Sequence, residues 1–187
     1  MAEHLTFASG TKAERYAMLL PQIEAVMEGE TDLVANMANV AAMLWETFAP
    51  SCFPQVELEN AASAGASPRT PYPWMWVGFY RVVGEELVLG PFQGPLACTR
   101  IKHGRGVCGT AWAENRTLLV SDVELFPGHI ACSSASRSEI VVPVRDREGH
   151  VRAVLDIDSR EKHTFDSTDR EWLERIADLF QNNHQFL

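Results

Sequence analysis

The chain has 187 residues, with 16 basic against 25 acidic side chains and a formal net charge of -9. That length predicts a single domain over 1–187, large enough to bury a core without metal or disulfide staples. The acid surplus argues against coating nucleic acid or an anionic membrane surface, both of which want clustered Lys and Arg.

No apolar run reaches the ~20 residues of a membrane helix. The start, MAEHLTFASGTKAERY, lacks the basic and continuously apolar regions of a signal peptide. The expectation is a cytoplasmic protein.

The first element is a helix over Thr11–Glu28, interrupted or kinked at Pro21. A second helix follows in TDLVANMANVAAMLWETF. Thr31 is its N-cap, and Leu33, Met37, Val40, Leu44 and Phe48 line one apolar face. Residues 1–48 thus form a helical arm. Residues 49–73 hold five prolines and the run AASAGAS, which reads as a long loop carrying Cys52.

From Trp74 the pattern turns to strands that continue to a closing helix, so 74–187 forms the main body. WMWVGFYRVV and ELVLGPF make a hairpin around a GEE turn. ACTRI is a short third strand, GVCGTAWAEN a helix opening on glycines, and TLLVS a fourth strand. After a long loop, SEIVVPVR and VRAVLDIDS form a second hairpin. The last helix starts at Asp166, which forms a capping box with Asp169, and buries Leu173, Ile176, Ala177 and Phe180. The fold class is α+β: a central antiparallel sheet of about six strands with N-terminal and C-terminal helices packed against it.

Gly104, Gly106 and Gly109 satisfy a G-x-G-x-x-G pattern. The surrounding hairpins and the early acids Asp122 and Glu124 do not suit a dinucleotide site. These glycines are better read as serving a tight turn and a close helix start.

Three of the four cysteines cluster as Cys98-x9-Cys108-x23-Cys132. Structural disulfides are unusual in a reducing compartment. The cluster has no C-x-x-C pair, so a zinc knuckle is not expected even with His103 and His129 nearby. Cys132 lies in a loop rich in Gly, His and Ser, where a thiol can be exposed and polarised. Cys98 starts a strand, and Cys108 is near a helix N-terminus, where the dipole favours thiolate. Thiol redox chemistry and buried inert thiols both remain open on these features. Cys52 reads as a bystander.

Asp156 and Asp158 alternate on VLDID and so share a face, and a hairpin brings Glu139 alongside. Three adjacent carboxyls repel one another. They can bind an ammonium group, hold one proton for donation, or simply form a solvated face. Trp76 and Tyr80 also share a strand face, as an aromatic wall or as core.

The stretches WVGFY, LVLGPFQGPLAC, GRGVCGTAW, FPGHIAC, SEIVVPV and VLDIDS, with ANMANVAAMLW upstream, resemble the GAF-domain free methionine-(R)-sulfoxide reductases. The resemblance covers the chain apart from the 49–73 loop. It implies a GAF fold, a homodimer, and reduction of free L-methionine-(R)-sulfoxide without metal or organic cofactor, with thioredoxin as reductant.

It places the nucleophile on Cys132, the resolving thiol on Cys98 and a further family cysteine on Cys108. Trp76 and Tyr80 become the pocket wall, and Glu139, Asp156 and Asp158 hold the substrate. Reduction needs an acid of raised pKa to protonate the sulfoxide oxygen, with Glu139 favoured and Asp156 or Asp158 as rival donors. One departure is Ser133, where the family has an acid after the nucleophile. The competing expectation is a non-catalytic GAF small-ligand or thiol redox sensor, which would ordinarily be attached to an output domain.

Overall fold

Thr11 opens the chain's first helix through a reciprocal pair: its side chain accepts from the Glu14 backbone N–H, while Glu14 accepts from the Thr11 backbone. The computed structural model describes residues 10–49, 73–128 and 134–182. The loop expected at 49–73 falls largely outside them, as do Cys52, His129 and Cys132.

Helix α1 (Lys12–Met27) runs through Pro21 as one helix, against the expected interruption. Tyr16, Leu19, Leu20 and Ile23 bury one continuous face on both sides of the proline, and that packing carries the helix across the lost hydrogen bond. Helix α2 (Leu33–Phe48) is capped by Asp32, one residue after the expected Thr31. The Asp32 carboxylate accepts from Ala35 N at 2.8 Å, a reach that the helix start at Leu33 gives to Asp32.

The sheet contains β1 (Trp74–Val83), β2 (Glu86–Gln93), β3 (Arg100–Lys102), β4 (Leu118–Val120), β5 (Ser138–Arg145) and β6 (Val151–Ser159). Their spatial order is β3-β2-β1-β6-β5-β4, with every neighbouring pair antiparallel. The third strand starts at Arg100, so Cys98 lies in the segment leading into it. Helix α3 (Gly106–Glu114) follows β3, and α4 (Ser167–Asp178) closes the fold with the expected Asp166–Asp169 capping box.

Alternation divides the sheet into two faces. Val77, Phe79, Ile140, Val142, Val144, Ala153, Leu155 and Ile157 pack with α1, α2 and α4 in one core. Trp76, Tyr80, Val141 and Val154 belong to a smaller core on the other side, with Val107, Cys108 and Ala111 of α3. The candidate site lies on this second side.

The glycine-rich turn sets α3 close to the sheet. Gly104 and Gly106 have φ of +72° and +61°. A Cβ on Gly109 would lie 2.4 Å from the Lys102 carbonyl oxygen, so a side chain there would push the helix off β3.

Candidate active site

Glu139, Asp156 and Asp158 converge as the hairpin register requires. Glu139 is the direct β5 partner of Asp158, and Asp156 precedes it on the same face of β6. With Trp76, Tyr80, Cys108 and Ser136 they line a cavity of about 40 Å³ under α3 and the segment after β2. Among the described residues lining it, Arg105 alone is cationic.

The aromatic wall is a stack. The Trp76 ring lies 5.8 Å from Tyr80 and 5.4 Å from Phe92, at interplanar angles of 23° and 15°. Trp76 Nε1 donates to the Pro95 carbonyl at 3.2 Å, tying the wall to the segment that carries Cys98. Phe92 and Pro95 were not singled out by the sequence, because their relation to Trp76 depends on the β1–β2 register.

Burial and crowding keep protons on this cluster. Glu139 is pushed well above the usual carboxyl range by burial first, then by the charges of Asp156 and Asp158. A hydrogen bond to Asp156 also favours the protonated form of Glu139. Asp156 is raised by burial and by Asp158, while hydrogen bonds from Cys108 and Glu139 work the other way. Burial raises Asp158 to about 6, against a hydrogen bond from Ser136. That bond runs from Ser136 Oγ to Asp158 Oδ1 at 2.5 Å. Tyr80 is also raised, by burial and then by Asp156. Asp156 lines the cavity, and its Oδ1 is buried with no hydrogen-bond partner, an acceptor that a positive group would satisfy.

The cysteines divide. Cys98 is disulfide-bonded and Cys108 is a free, buried thiol. Cys108 Sγ donates to Glu139 Oε1 at 3.8 Å. Its helix position predicts a depressed pKa, but the thiol is pushed well up by burial and by Asp156 and Glu139. Carboxylates of β5 and β6 stand against the sulfur and outweigh the helix dipole. Cys132 and Ser133 lie outside the described residues. Sulfur and carboxylate atoms of Cys108, Glu139 and Asp156 lie within 4.8 Å of one another, a spacing compatible with a shared cation.

Residues 70–182 match the GAF domain family, which accounts for the six-stranded antiparallel sheet and its flanking helices. The chain is 49% identical to a Dictyostelium discoideum GAF domain-containing protein A over 97% of this chain and 100% of that one. It is 35% identical to the Saccharomyces cerevisiae free methionine-R-sulfoxide reductase over 99% of this chain and 94% of that one. The Neisseria meningitidis free methionine-R-sulfoxide reductase, solved with its substrate, superposes with a TM-score of 0.81 at 47% identity, covering 97% of this chain and 95% of that one. These likenesses define a GAF-domain enzyme of the oxidoreductase class. The chain belongs to the free methionine-R-sulfoxide reductase family.

Proposed function

We propose that the chain reduces free L-methionine-(R)-sulfoxide to L-methionine by a cysteine mechanism recycled by thioredoxin. The observation that carries the substrate reading is the buried, unpartnered Asp156 oxygen, on a residue that lines one cavity with Glu139, Asp158, Trp76 and Tyr80. A free amino acid brings an ammonium group to that acceptor, whereas a peptide-bound methionine has lost the charge. Trp76 and Tyr80 pack the S-methyl end.

Glu139, holding its proton, donates it to the sulfoxide oxygen. The Cys132 thiolate attacks the substrate sulfur, methionine leaves, and Cys132 becomes a sulfenic acid. The Cys98 thiol condenses with it, releasing water and forming a disulfide. An external dithiol then takes up the oxidation by exchange. The two electrons reach the sulfoxide from thiols throughout, so the steps require neither metal nor organic cofactor.

The assignment of Cys98 as the resolving thiol is supported by its disulfide and by the free state of Cys108. Asp156 and Asp158 are the ammonium anchors. On this reading the enzyme works in the cytoplasm as a homodimer. Among the described residues no helix is long and apolar enough to cross a membrane.

The test is NADPH consumption with thioredoxin and thioredoxin reductase, using R and S sulfoxides of free and peptide-bound methionine. Turnover of the free R form alone is expected. Turnover of peptide-bound substrate would overturn the ammonium reading, and no turnover of any substrate would favour a ligand or redox sensor.

A further inference from the structure

Cys108, Glu139 and Asp156 come from α3, β5 and β6, and their donor atoms lie within 4.8 Å of one another in a buried setting. We infer that these three side chains form a binding site for a thiophilic divalent cation such as Zn²⁺, which occupies the pocket in place of a substrate ammonium.

The geometry suits the ion. Zinc sits about 2.3 Å from a cysteine sulfur and about 2.1 Å from a carboxylate oxygen, so tetrahedral bonding separates sulfur from oxygen by about 3.6 Å. Cys108 Sγ and Glu139 Oε1 are 3.8 Å apart. The Asp156 oxygen without a hydrogen-bond partner supplies a buried acceptor that a cation satisfies. The adjoining cavity leaves space for a water as fourth ligand. One sulfur with two oxygens selects a borderline-soft ion over Mg²⁺ or Ca²⁺, which take oxygen ligands.

The chemistry needs no redox step. The Cys108 S–H and Glu139 O–H bonds break, both protons leave to solvent, and sulfur–metal and oxygen–metal bonds form. Binding fills the position that a substrate ammonium takes in the reading above. The ion is therefore an inhibitor competing with substrate, and the metal-free pocket is the working form. The inhibitory consequence rests on the proposed reductase activity; the site itself does not.

The test uses the full chain carrying Cys52→Ser, metal-stripped, with its Cys98 disulfide intact. Co²⁺ titration should give a saturable sulfur-to-cobalt charge-transfer band, and Zn²⁺ calorimetry one ion per chain. Cys108→Ala should abolish the band, and Asp156→Asn should weaken Zn²⁺ binding at least tenfold. Near-UV circular dichroism checks that both variants fold, and Glu139→Gln supplies a third ligand variant. A band that survives Cys108→Ala, or no saturable Co²⁺ binding at millimolar concentration, would overturn the site. With active enzyme, Zn²⁺ should raise KM for the sulfoxide and leave kcat unchanged. A fall in kcat at constant KM would overturn the shared position. Failure of the reductase reading shows instead as absent turnover in metal-free protein while the cobalt band persists.

Discussion

Glu139 on β5 stands directly across the strand pairing from Asp158 on β6, so two acids face each other at the mouth of a buried pocket. Burial penalises the ionised form of each, which keeps the proton on Glu139 and raises Asp158 to about 6. The fold tolerates the pair, which is the pattern of a site that trades stability for function.

Asp158→Asn should therefore stabilise the chain at neutral pH, because it removes a buried carboxylate that burial disfavours in its ionised form. The sign with pH follows from a carboxyl raised in the folded state to about 6 from an ordinary 3.8. Its contribution to stability is fully present below the ordinary value and is lost as pH rises through the folded one. The advantage of the Asn variant should thus be full above about pH 6 and vanish below 3.8. Urea unfolding across this range, with a chelator present, checks it. An advantage that does not change with pH would remove the role given to ionised Asp158.

Cys98→Ser and Cys108→Ser should separate the two described thiols. The first should release about one methionine per chain and then stop, because no partner closes the disulfide. The second should continue to cycle. A methionine burst assay reads both. Sustained cycling of Cys98→Ser with thioredoxin would pass the resolving role to Cys108 or Cys52.

Lys12 anchors the helical arm to α4. Its ammonium lies 2.9 Å from Asp166 and 2.5 Å from Asp169, whose side chain is fully buried and also accepts from Tyr16 Oη at 3.0 Å. Lys12→Ala strands a buried carboxylate and should cost about 3–5 kcal/mol. The double variant with Asp169→Ala should recover part of that loss. Denaturant melts of both variants decide the point, and a loss under about 0.5 kcal/mol for Lys12→Ala would refute the anchor.

The β5–β6 turn is stapled by Asp146. Its carboxylate accepts from Arg152 Nε at 2.6 Å and from the backbone N–H groups of Glu148 and His150 at 3.1 and 2.8 Å. Burial acts to raise its pKa, but these donors outweigh it and leave the pKa below the ordinary 3.8. A depressed carboxyl stabilises the fold above its ordinary pKa, and the contribution is lost as pH falls through the folded value. Wild type should therefore exceed Asp146→Asn in stability at neutral pH, with the gap closing in acid. Chemical denaturation at pH 7 and below 3.8 would show whether it does.

Much of the site was legible because strands repeat every second residue. VLDID sets Asp156 and Asp158 on one face, and a short hairpin suffices to bring in Glu139. Trp76 and Tyr80 follow by the same rule.

The environment of Cys108 was not legible. Its local sequence shows a helix N-terminus, while burial first, then Asp156 on another strand and Glu139, 31 residues on, push its thiol up. Ser136 was hidden for a similar reason: in SSAS it reads as one of several loop hydroxyls, and only the pairing of β5 with β6 gives it Asp158. Pro21 does not interrupt α1, because the buried face on both sides of it carries the helix through.

The absent side chain at Gly109 reaches further than its own turn. The Lys102 carbonyl fills the volume that a methyl group would need, so α3 rests on β3 at a fixed standoff. Cys108, the preceding residue, inherits that standoff and meets the Glu139 carboxyl at 3.8 Å. The cavity under α3 is gauged by an empty position, and an alanine there would act on its dimensions without contacting anything inside it.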